Sequence, residues 1–484
     1  MTQQKAAQSR SKKFVKDLGI YAIGNLGSKL ITFLLIPLYT FAITDPADFG
    51  YYDICLTVVF CFGPIVGLQL GDGGFRFLLE TKDHGTKSQI ITFITRSVLT
   101  NSLIVIALGV AAGMLFDIRY LSLIIMFGLA QTYFDITLQL VRGLSRTKIF
   151  MAAGICNALI IAVLSVFFLI CFDTGIKGIF YANISARIIT IIFIQLKTRL
   201  FSSFITRRHI DKNISGELLR YSLPLLPAIM IWWILSSNNV FFIRHFLGLQ
   251  ENGIYAVLAK FSGILYILSL IFYQTWQQNA IEQYNSDDRD TFFTGIFNNY
   301  VYLLCVLVIF FSFGLRLNYG WLVGPDYQES SRYLFINSVY IAVYALALFY
   351  ELGYQCAKKT SRILPSFILI TVIGLTLNFI LIPRLHLYGV IISNIITYAV
   401  LLVYRIIDTR KYMIIGFSRY NLLSLLIVLI GGAAYHTFSS AYSDITILIT
   451  SALFFLIILP KNLKQIIIRK FSYLCKSNHP DIES

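Results

Sequence analysis

Charge is what this sequence has least of. Only 13% of its 484 residues are Asp, Glu, Lys or Arg, against about 25% in an average soluble domain, which excludes a water-soluble globular protein. The seven cysteines (Cys55, Cys61, Cys156, Cys171, Cys305, Cys356 and Cys475) include no C-x-x-C pair and have no histidine at zinc-ligand spacing, so neither disulfides nor a metal site is expected. No G-x-x-x-x-G-K-[ST] loop occurs and the six histidines form no H-E-x-x-H arrangement, which removes the usual supports for ATP hydrolysis and zinc hydrolysis. No cofactor is expected.

What is present is apolar: 57% of residues are hydrophobic and the mean hydropathy is +0.72. Runs of about 18 residues or more recur from end to end with short polar gaps, the pattern of successive transmembrane helices. Fourteen spans are expected, at about 17–43, 49–70, 88–115, 120–140, 149–171, 176–197, 220–244, 253–275, 295–316, 332–353, 363–383, 387–405, 421–438 and 445–460. The fold class is therefore all-α and polytopic in the membrane. The first run exceeds the length of a signal-peptide core and lacks a small-x-small cleavage site, so it is expected to be a span.

The charges orient these spans. With the amino terminus inside, most of the 40 lysines and arginines fall in inward gaps, including Lys12, Lys13, Arg142, Arg146, Lys148, Arg207, Arg208, Lys212, Arg410 and Lys411, whereas Arg119, Lys177, Arg244, Arg316 and Arg384 fall outward. Both termini are thus expected in the cytoplasm. The net charge of +16, which in a soluble protein would suggest nucleic acid, is accounted for by topology and attraction to anionic lipid; no nucleic-acid partner is expected.

Five cations remain inside the spans: Lys29, Arg96, Arg187, Lys260 and Arg332. A charge at the bilayer centre costs about 2.5 to 3.5 kcal/mol on the insertion scale, so each needs a partner or water. Arg332 is near enough to a span end to snorkel. For Lys29 and Arg187 the alternatives are an ion pair with Asp53, Asp135 or Glu351, or a hydrated, net-positive cavity that would hold an anionic cargo. These acids look outnumbered and close to span ends, which favours the cavity. Asn25 lies one turn from Lys29 in GNLGSKLITFLLIP, among glycines that permit close helix approach. The expected cargo-binding set is Lys29, Arg187, Lys260, Arg96 and Asn25.

A second candidate is GDGGFRFLLE, in which Asp72, Arg76 and Glu80 share a helix face at i, i+4, i+8. This is either an inner gate or a static helix-end pair. Together with Asp53, Asp135 and Glu351, they are the gating or ion-coupling candidates. The segment YQTWQQN (Tyr273 to Asn279) suits either sugar rings and hydroxyls or a membrane interface.

The chain repeats itself. GIKGIFYANISARII from Gly175 matches HLYGVIISNIITYAV from His386, pairing Gly178 with Gly389 and Asn183 with Asn394. DFGYYDICL from Asp48 matches ENGIYAVLA from Glu251, pairing Gly50 with Gly253. Two six-helix bundles related as parallel repeats, with two added C-terminal helices, are expected. The domain plan is residues 1–200, a cytoplasmic linker 201–219, a second bundle 220–410, and 411–484 as two further spans with a basic cytoplasmic tail.

The stretches NLGSKLITFLLIPLYTFAITDPADFGYYD (Asn25 to Asp53), LGDGGFRFLLE (Leu70 to Glu80), WQQNAIEQY (Trp276 to Tyr284) and LNFILIPRLHLYGVIISN (Leu377 to Asn394), in this order, resemble the bacterial polysaccharide flippases of the Wzx type, which export O-antigen or capsule repeat units. The resemblance implies a fold like that of the multidrug and toxin extrusion transporters. It also implies a flippase that carries undecaprenyl-diphosphate-linked oligosaccharide from the cytoplasmic to the outer leaflet of the bacterial inner membrane by alternating access. The diphosphate or acidic sugars would then meet Lys29, Arg187 and Lys260. One departure is that Phe41 and Ala42 stand where the family usually has an arginine after the segment matching Pro37 to Thr40. The implied partners are the lipid-linked oligosaccharide, membrane lipids and other polysaccharide-assembly membrane proteins.

Three other functions compete with this reading. An enzyme of the same pathway would usually need an outward catalytic loop, and the longest here, 315–331, is poor in acid-base groups, so no catalysis is expected. An ion-coupled drug or organic-solute antiporter of the same fold should carry carboxylates where this chain carries cations. A non-transporting membrane organiser would leave the buried cations unexplained.

Overall fold

A computed structural model describes residues 33–201, 210–438 and 440–459. Every regular element among them is helical, as expected where backbone N–H and C=O groups have no water to bond and each segment must satisfy its own. In chain order the helices are α1 (Phe33–Ala42), α2 (Pro46–Gly67), α3 (Leu70–Glu80), α4 (His84–Leu115), α5 (Leu121–Gly143), α6 (Thr147–Val166, continued by a π turn, Phe167–Cys171), α7 (Ile176–Thr198), α8 (Lys212–Ser222), α9 (Leu226–Phe246), α10 (Leu249–Gln283), α11 (Arg289–Leu322), α12 (Leu334–Cys356), α13 (Ile363–Thr409), α14 (Arg419–Thr437) and α15 (Ala441–Ile458).

Among the described residues, twelve helices are long and apolar enough to cross a membrane. At 47 residues, α13 would be about 70 Å long if straight, more than twice the roughly 30 Å hydrocarbon core. It is two spans joined without a loop, broken at His386 (φ 53°, ψ −136°). Counting it twice yields thirteen of the fourteen expected spans; of the first, 17–43, only the part from residue 33, including the short helix α1, is described, and the rest lies outside the described residues. The polytopic all-α fold read from hydropathy is the fold observed.

The helix ends follow local chemistry. Pro46 opens α2, where a missing N–H costs nothing, and the Asp45 carboxylate accepts from Ala47 N at 2.8 Å. Asp83 caps α4 by accepting from Thr86 N at 2.7 Å. Between α2 and α3 the chain turns through two consecutive left-handed residues, Leu68 (φ 47°) and Gln69 (φ 55°), just after Pro64. That break lets α3 lay its glycine face on its neighbours: a side chain at Gly73 would collide with Ser222 of α8, and one at Gly74 with Ile94 of α4.

The internal repeat has a backbone signature. Gly175, ahead of α7, has φ 54° and ψ −141°, nearly the conformation of His386, its counterpart. After each break, a glycine at the matching position (Gly178 or Gly389) lets the new helix pack closely. At Gly389 an added Cβ would sit 2.9 Å from the Ile382 backbone. The other repeated pair is in contact: Gly50 of α2 and Gly253 of α10 pack backbone to backbone, and Asn252 Nδ2 donates to Gly50 O at 2.9 Å.

The chain forms two compact units. One holds the described part of Leu26–Val257 together with Val323–Tyr327. Its core includes Val66, Leu70, Ile90, Ile94, Leu140 and Leu218. The other holds Leu258–Leu322 and the described part of Gln328–Ser484. Its core is aromatic: Trp276 stacks on Phe349 at 4.6 Å and meets Phe293 edge-on at 4.8 Å. Trp276, expected at an interface or on sugar, is fully buried.

Candidate functional site

A polar stripe runs through the first unit along one face of α5. Gln131, Asp135 and Gln139 are four residues apart and so line up on the helix. Arg187 of α7, 8% exposed, donates from Nε to Gln131 Oε1 at 2.6 Å. Its Nη1 donates to Asn183 O at 2.8 Å and to Asn183 Oδ1 at 3.0 Å, and its guanidinium lies 4.7 Å from the centre of the Phe127 ring. Gln131 in turn donates from Nε2 to Asp135 Oδ2 at 2.7 Å. The amide therefore bridges a buried cation to a carboxylate that would otherwise be out of reach, and a charge-assisted network of this kind lets the guanidinium stay in a low-dielectric setting.

The stripe continues to the end of the helix, where Gln139 Nε2 donates to Asp72 Oδ1 of α3 at 2.8 Å. Gln139 Oε1 is buried without a hydrogen-bond partner. Asp72, Asp135 and Gln139 all face one cavity of about 450 Å³, with Thr132, Trp233 and Ser236 on its other walls. Trp233 Nε1 closes a side by donating to Thr57 O at 3.0 Å. Asp135 is set within a span yet solvent-accessible, because it looks into this cavity. Burial raises the Asp72 carboxyl above the ordinary carboxylate range, opposed by the field of Arg142.

The second unit holds a comparable pair. Arg405, fully buried, places Nη2 2.8 Å from Glu351 Oε2 and donates from Nη1 to Ala347 O at 2.9 Å. Asp135 thus serves Arg187 through Gln131, contrary to the expectation that the acids leave that cation unmatched, while Glu351, near the C-terminal end of α12 as expected, pairs with Arg405.

The remaining candidates separate. Asn25 and Lys29 lie outside the described residues. Arg187 is enclosed by protein donors and acceptors. Lys260, half-buried on α10, belongs to the other unit. Arg96 is exposed on α4 and Asp53 is half-buried on α2. Arg332 pairs with Glu329 at 2.9 Å in an exposed turn. The Asp72, Arg76 and Glu80 face divides: Arg76 pairs with Glu80 at 3.0 Å and its guanidinium lies 4.7 Å from the Tyr221 ring centre, while Asp72 turns to Gln139.

Sequence reasoning missed Gln131, Gln139 and Arg405. For the amides the signal was available as Q-x-x-x-D-x-x-x-Q inside an apolar run. Arg405 was hidden because hydropathy ends that span at 405, whereas the helix continues to Thr409.

The fold is similar to that of several solved structures. One is a multidrug resistance MATE family transporter of the MOP superfamily in an inward-facing conformation, at 14% identity over 82% of this chain and 98% of that one, with a TM-score of 0.65. Another is the lipid II flippase MurJ in an inward closed conformation, at 12% identity over 93% and 99%, with a TM-score of 0.69. A third is a MOP superfamily transporter from Pyrococcus furiosus, at 16% identity over 83% and 95%, with a TM-score of 0.56. No curated protein matches the chain in sequence. Residues 14–276 match the model of the polysaccharide biosynthesis protein family. That match covers more than half of the 484 residues, and together with the fold it establishes this multi-pass membrane chain as a member of the polysaccharide biosynthesis protein family.

Proposed function

We propose that the chain is a flippase that moves undecaprenyl-diphosphate-linked oligosaccharide repeat units from the cytoplasmic to the outer leaflet of the bacterial inner membrane by alternating access. The supporting observation is the polar stripe Arg187–Gln131–Asp135–Gln139 inside membrane-spanning helices, continued by Asp72 of the short helix α3, in a polysaccharide biosynthesis family member. Polar and charged groups at that depth mark a path for something hydrophilic, and in such a family the hydrophilic cargo is a glycan. In this reading Lys29, Lys260 and Arg96, with Asn25, meet the diphosphate, and Arg187 contributes from behind Gln131. Asp53, Asp135 and Glu351 are the coupling candidates, and Asp72, Arg76 and Glu80 form the inner gate. The two bundles are residues 1–200 and 220–410, the termini are cytoplasmic, and no chemical step is catalysed. Other polysaccharide-assembly proteins of the membrane would be its neighbours.

A second reading, an ion-coupled drug or organic-solute antiporter, draws support from Asp72 and Asp135, since the cavity of the first unit is lined by carboxylates and, among the described residues, by no lysine or arginine.

The deciding experiment uses cells lacking the protein. Lipid-linked oligosaccharide is extracted, and its sugar is tested in intact spheroplasts for access by an impermeant labelling reagent. The flippase reading expects accumulated, inaccessible sugar, relieved by the wild-type chain and not by Lys29→Ala at equal abundance. Normal amounts with normal exposure, in a strain without a redundant flippase, would overturn it in favour of the antiporter.

A further inference from the structure

The second unit carries a tyrosine and amide face. On α10, Tyr266, Tyr273 and Gln277 share one side; on α12, Tyr340, Tyr344, Glu351 and Gln355 do the same; and Tyr398 and Arg405 share a side of the second half of α13. These stripes meet in three rungs. Tyr266 stacks on Tyr344 (5.7 Å, 28°), Tyr344 meets Tyr398 edge-on (4.8 Å, 84°), and Tyr398 adjoins Tyr340 (5.6 Å). Next, Tyr273 Oη donates to Glu351 Oε1 at 3.2 Å, beside the Glu351–Arg405 pair. Last, Gln277 Nε2 donates to Gln355 Oε1 at 2.6 Å, and Gln355 Nε2 donates to Tyr273 Oη at 2.9 Å.

The side chains of this face other than Arg405 are half-buried, whereas Trp276, Phe293, Phe297 and Phe349 fill the sealed core. Tyr300 and Tyr350 share that sealed core, so what sets the face apart is its grouping of half-buried tyrosines with two amides and a carboxylate. A surface against lipid chains reads differently here: Ile368, Val372 and Phe379 of α13 are 52%, 60% and 63% exposed. Tyrosine hydroxyls, two glutamine amides and a carboxylate on a half-open membrane helix face belong against water or a polar ligand. At Gly263, one turn before Tyr266, an added Cβ would meet nothing within 4 Å, so there is room beside the rings.

Aromatic faces next to amides and a carboxylate fit two ligand classes: an organic cation over the rings, or a sugar whose C–H face lies on a ring while its hydroxyls bond the amides. Charge decides between them. Glu351 is matched by Arg405 at 2.8 Å, so the face has no net negative charge to draw a cation, and a neutral polyhydroxylated ligand is favoured. We propose that this tyrosine and amide face is the saccharide subsite, contacting the pyranose rings of the cargo. The inference rests on the flippase reading.

The test places benzoylphenylalanine at Tyr344, with the same probe at lipid-facing Ile368 as control, in full-length protein in cells fed a tritiated hexose. Irradiation should give a photoadduct carrying tritiated lipid-linked sugar at 344 and not at 368. In parallel, Tyr344→Ala should lower spheroplast-exposed sugar about tenfold, the size of losing one aromatic stacking contact, while Tyr344→Phe keeps it. An adduct at 344 without tritium, or none in cells that still expose the sugar, overturns the subsite and leaves the flippase reading standing. Cells in which sugar neither accumulates nor depends on the protein overturn the flippase reading itself, and the subsite with it. Should Tyr344→Ala fail to insert, the aromatic photoprobe still decides.

Discussion

Replacing Gln131 by leucine tests whether the amide holds the buried arginine. The substitution keeps side-chain volume and removes two hydrogen bonds, one at 2.6 Å to Arg187 and one at 2.7 Å to Asp135. Their losses are unequal. Asp135 faces the cavity, so water replaces the amide there at little cost. Arg187 is buried, and leaving a charged N–H without its acceptor costs about 2 to 3 kcal/mol. The reference for comparison is low, since hydrogen bonds between membrane helices average about 0.6 kcal/mol in double-mutant cycles. A coupling of about 2 kcal/mol between Gln131→Leu and Arg187→Leu is therefore expected, because the donor carries a full charge that water does not reach. The assay is unfolding in mixed micelles by titration with dodecyl sulfate, followed by tryptophan fluorescence, for wild type, both single variants and the double variant. A coupling at or below about 0.6 kcal/mol would refute the claim that Gln131 neutralises a buried charge and leave it an ordinary interhelical contact.

Three further outcomes are expected in the same titration. The Asp72 carboxyl is raised by burial, so the folded state holds its proton more tightly than the unfolded one, and stability falls as pH rises from the unfolded value near 3.9 to the raised folded value; Asp72→Asn should flatten that segment of the stability–pH curve, and an unchanged slope would show that burial there is immaterial. His386 occupies a backbone region that costs a side-chain-bearing residue about 1 to 3 kcal/mol, so His386→Gly should stabilise by about 1 kcal/mol after the extra glycine entropy, while His386→Ala should not; equal effects would remove the strain argument. Arg316, half-buried, pairs with Asp444 of α15, donates to Tyr435 O and lies 3.8 Å from the Tyr435 ring centre of α14, so Asp444→Ala should cost about 2 to 3 kcal/mol by removing the buried carboxylate's charge-assisted bonds, and a loss under about 1 kcal/mol, the value for an exposed pair, would mean that the pair is solvated.

Hydropathy and repetition told a great deal here because both are one-dimensional properties. A bilayer demands helices of a minimum length, so apolar runs gave the all-α class directly, and the two runs 363–383 and 387–405 were legible as two spans, which the structure joins without a loop as α13. The repeat was legible as matched glycines, and its reason emerged in the shared backbone break at Gly175 and His386. Arg187 stood out as a charge in an apolar run. What it touches did not, because the periodicity of one helix says which residues share a face and nothing about which neighbouring helix that face meets. Gln131 passed unnoticed among amides of unremarkable composition until α7 was seen to place a guanidinium 2.6 Å from it.

By itself, then, the sequence determined that this chain is a bundle of membrane-crossing helices, built twice over from one plan, with cations too deep to be accidental. Only the tertiary structure decided how the buried charges are matched: Arg187 to Asp135 through an amide, Arg405, which the sequence had not singled out, to Glu351 directly, and Asp72 away from Arg76 toward Gln139. The reason is that burying a charge is tolerated only where partners from other helices converge on it, and convergence depends on how each helix is rotated and broken, which no single run of residues specifies.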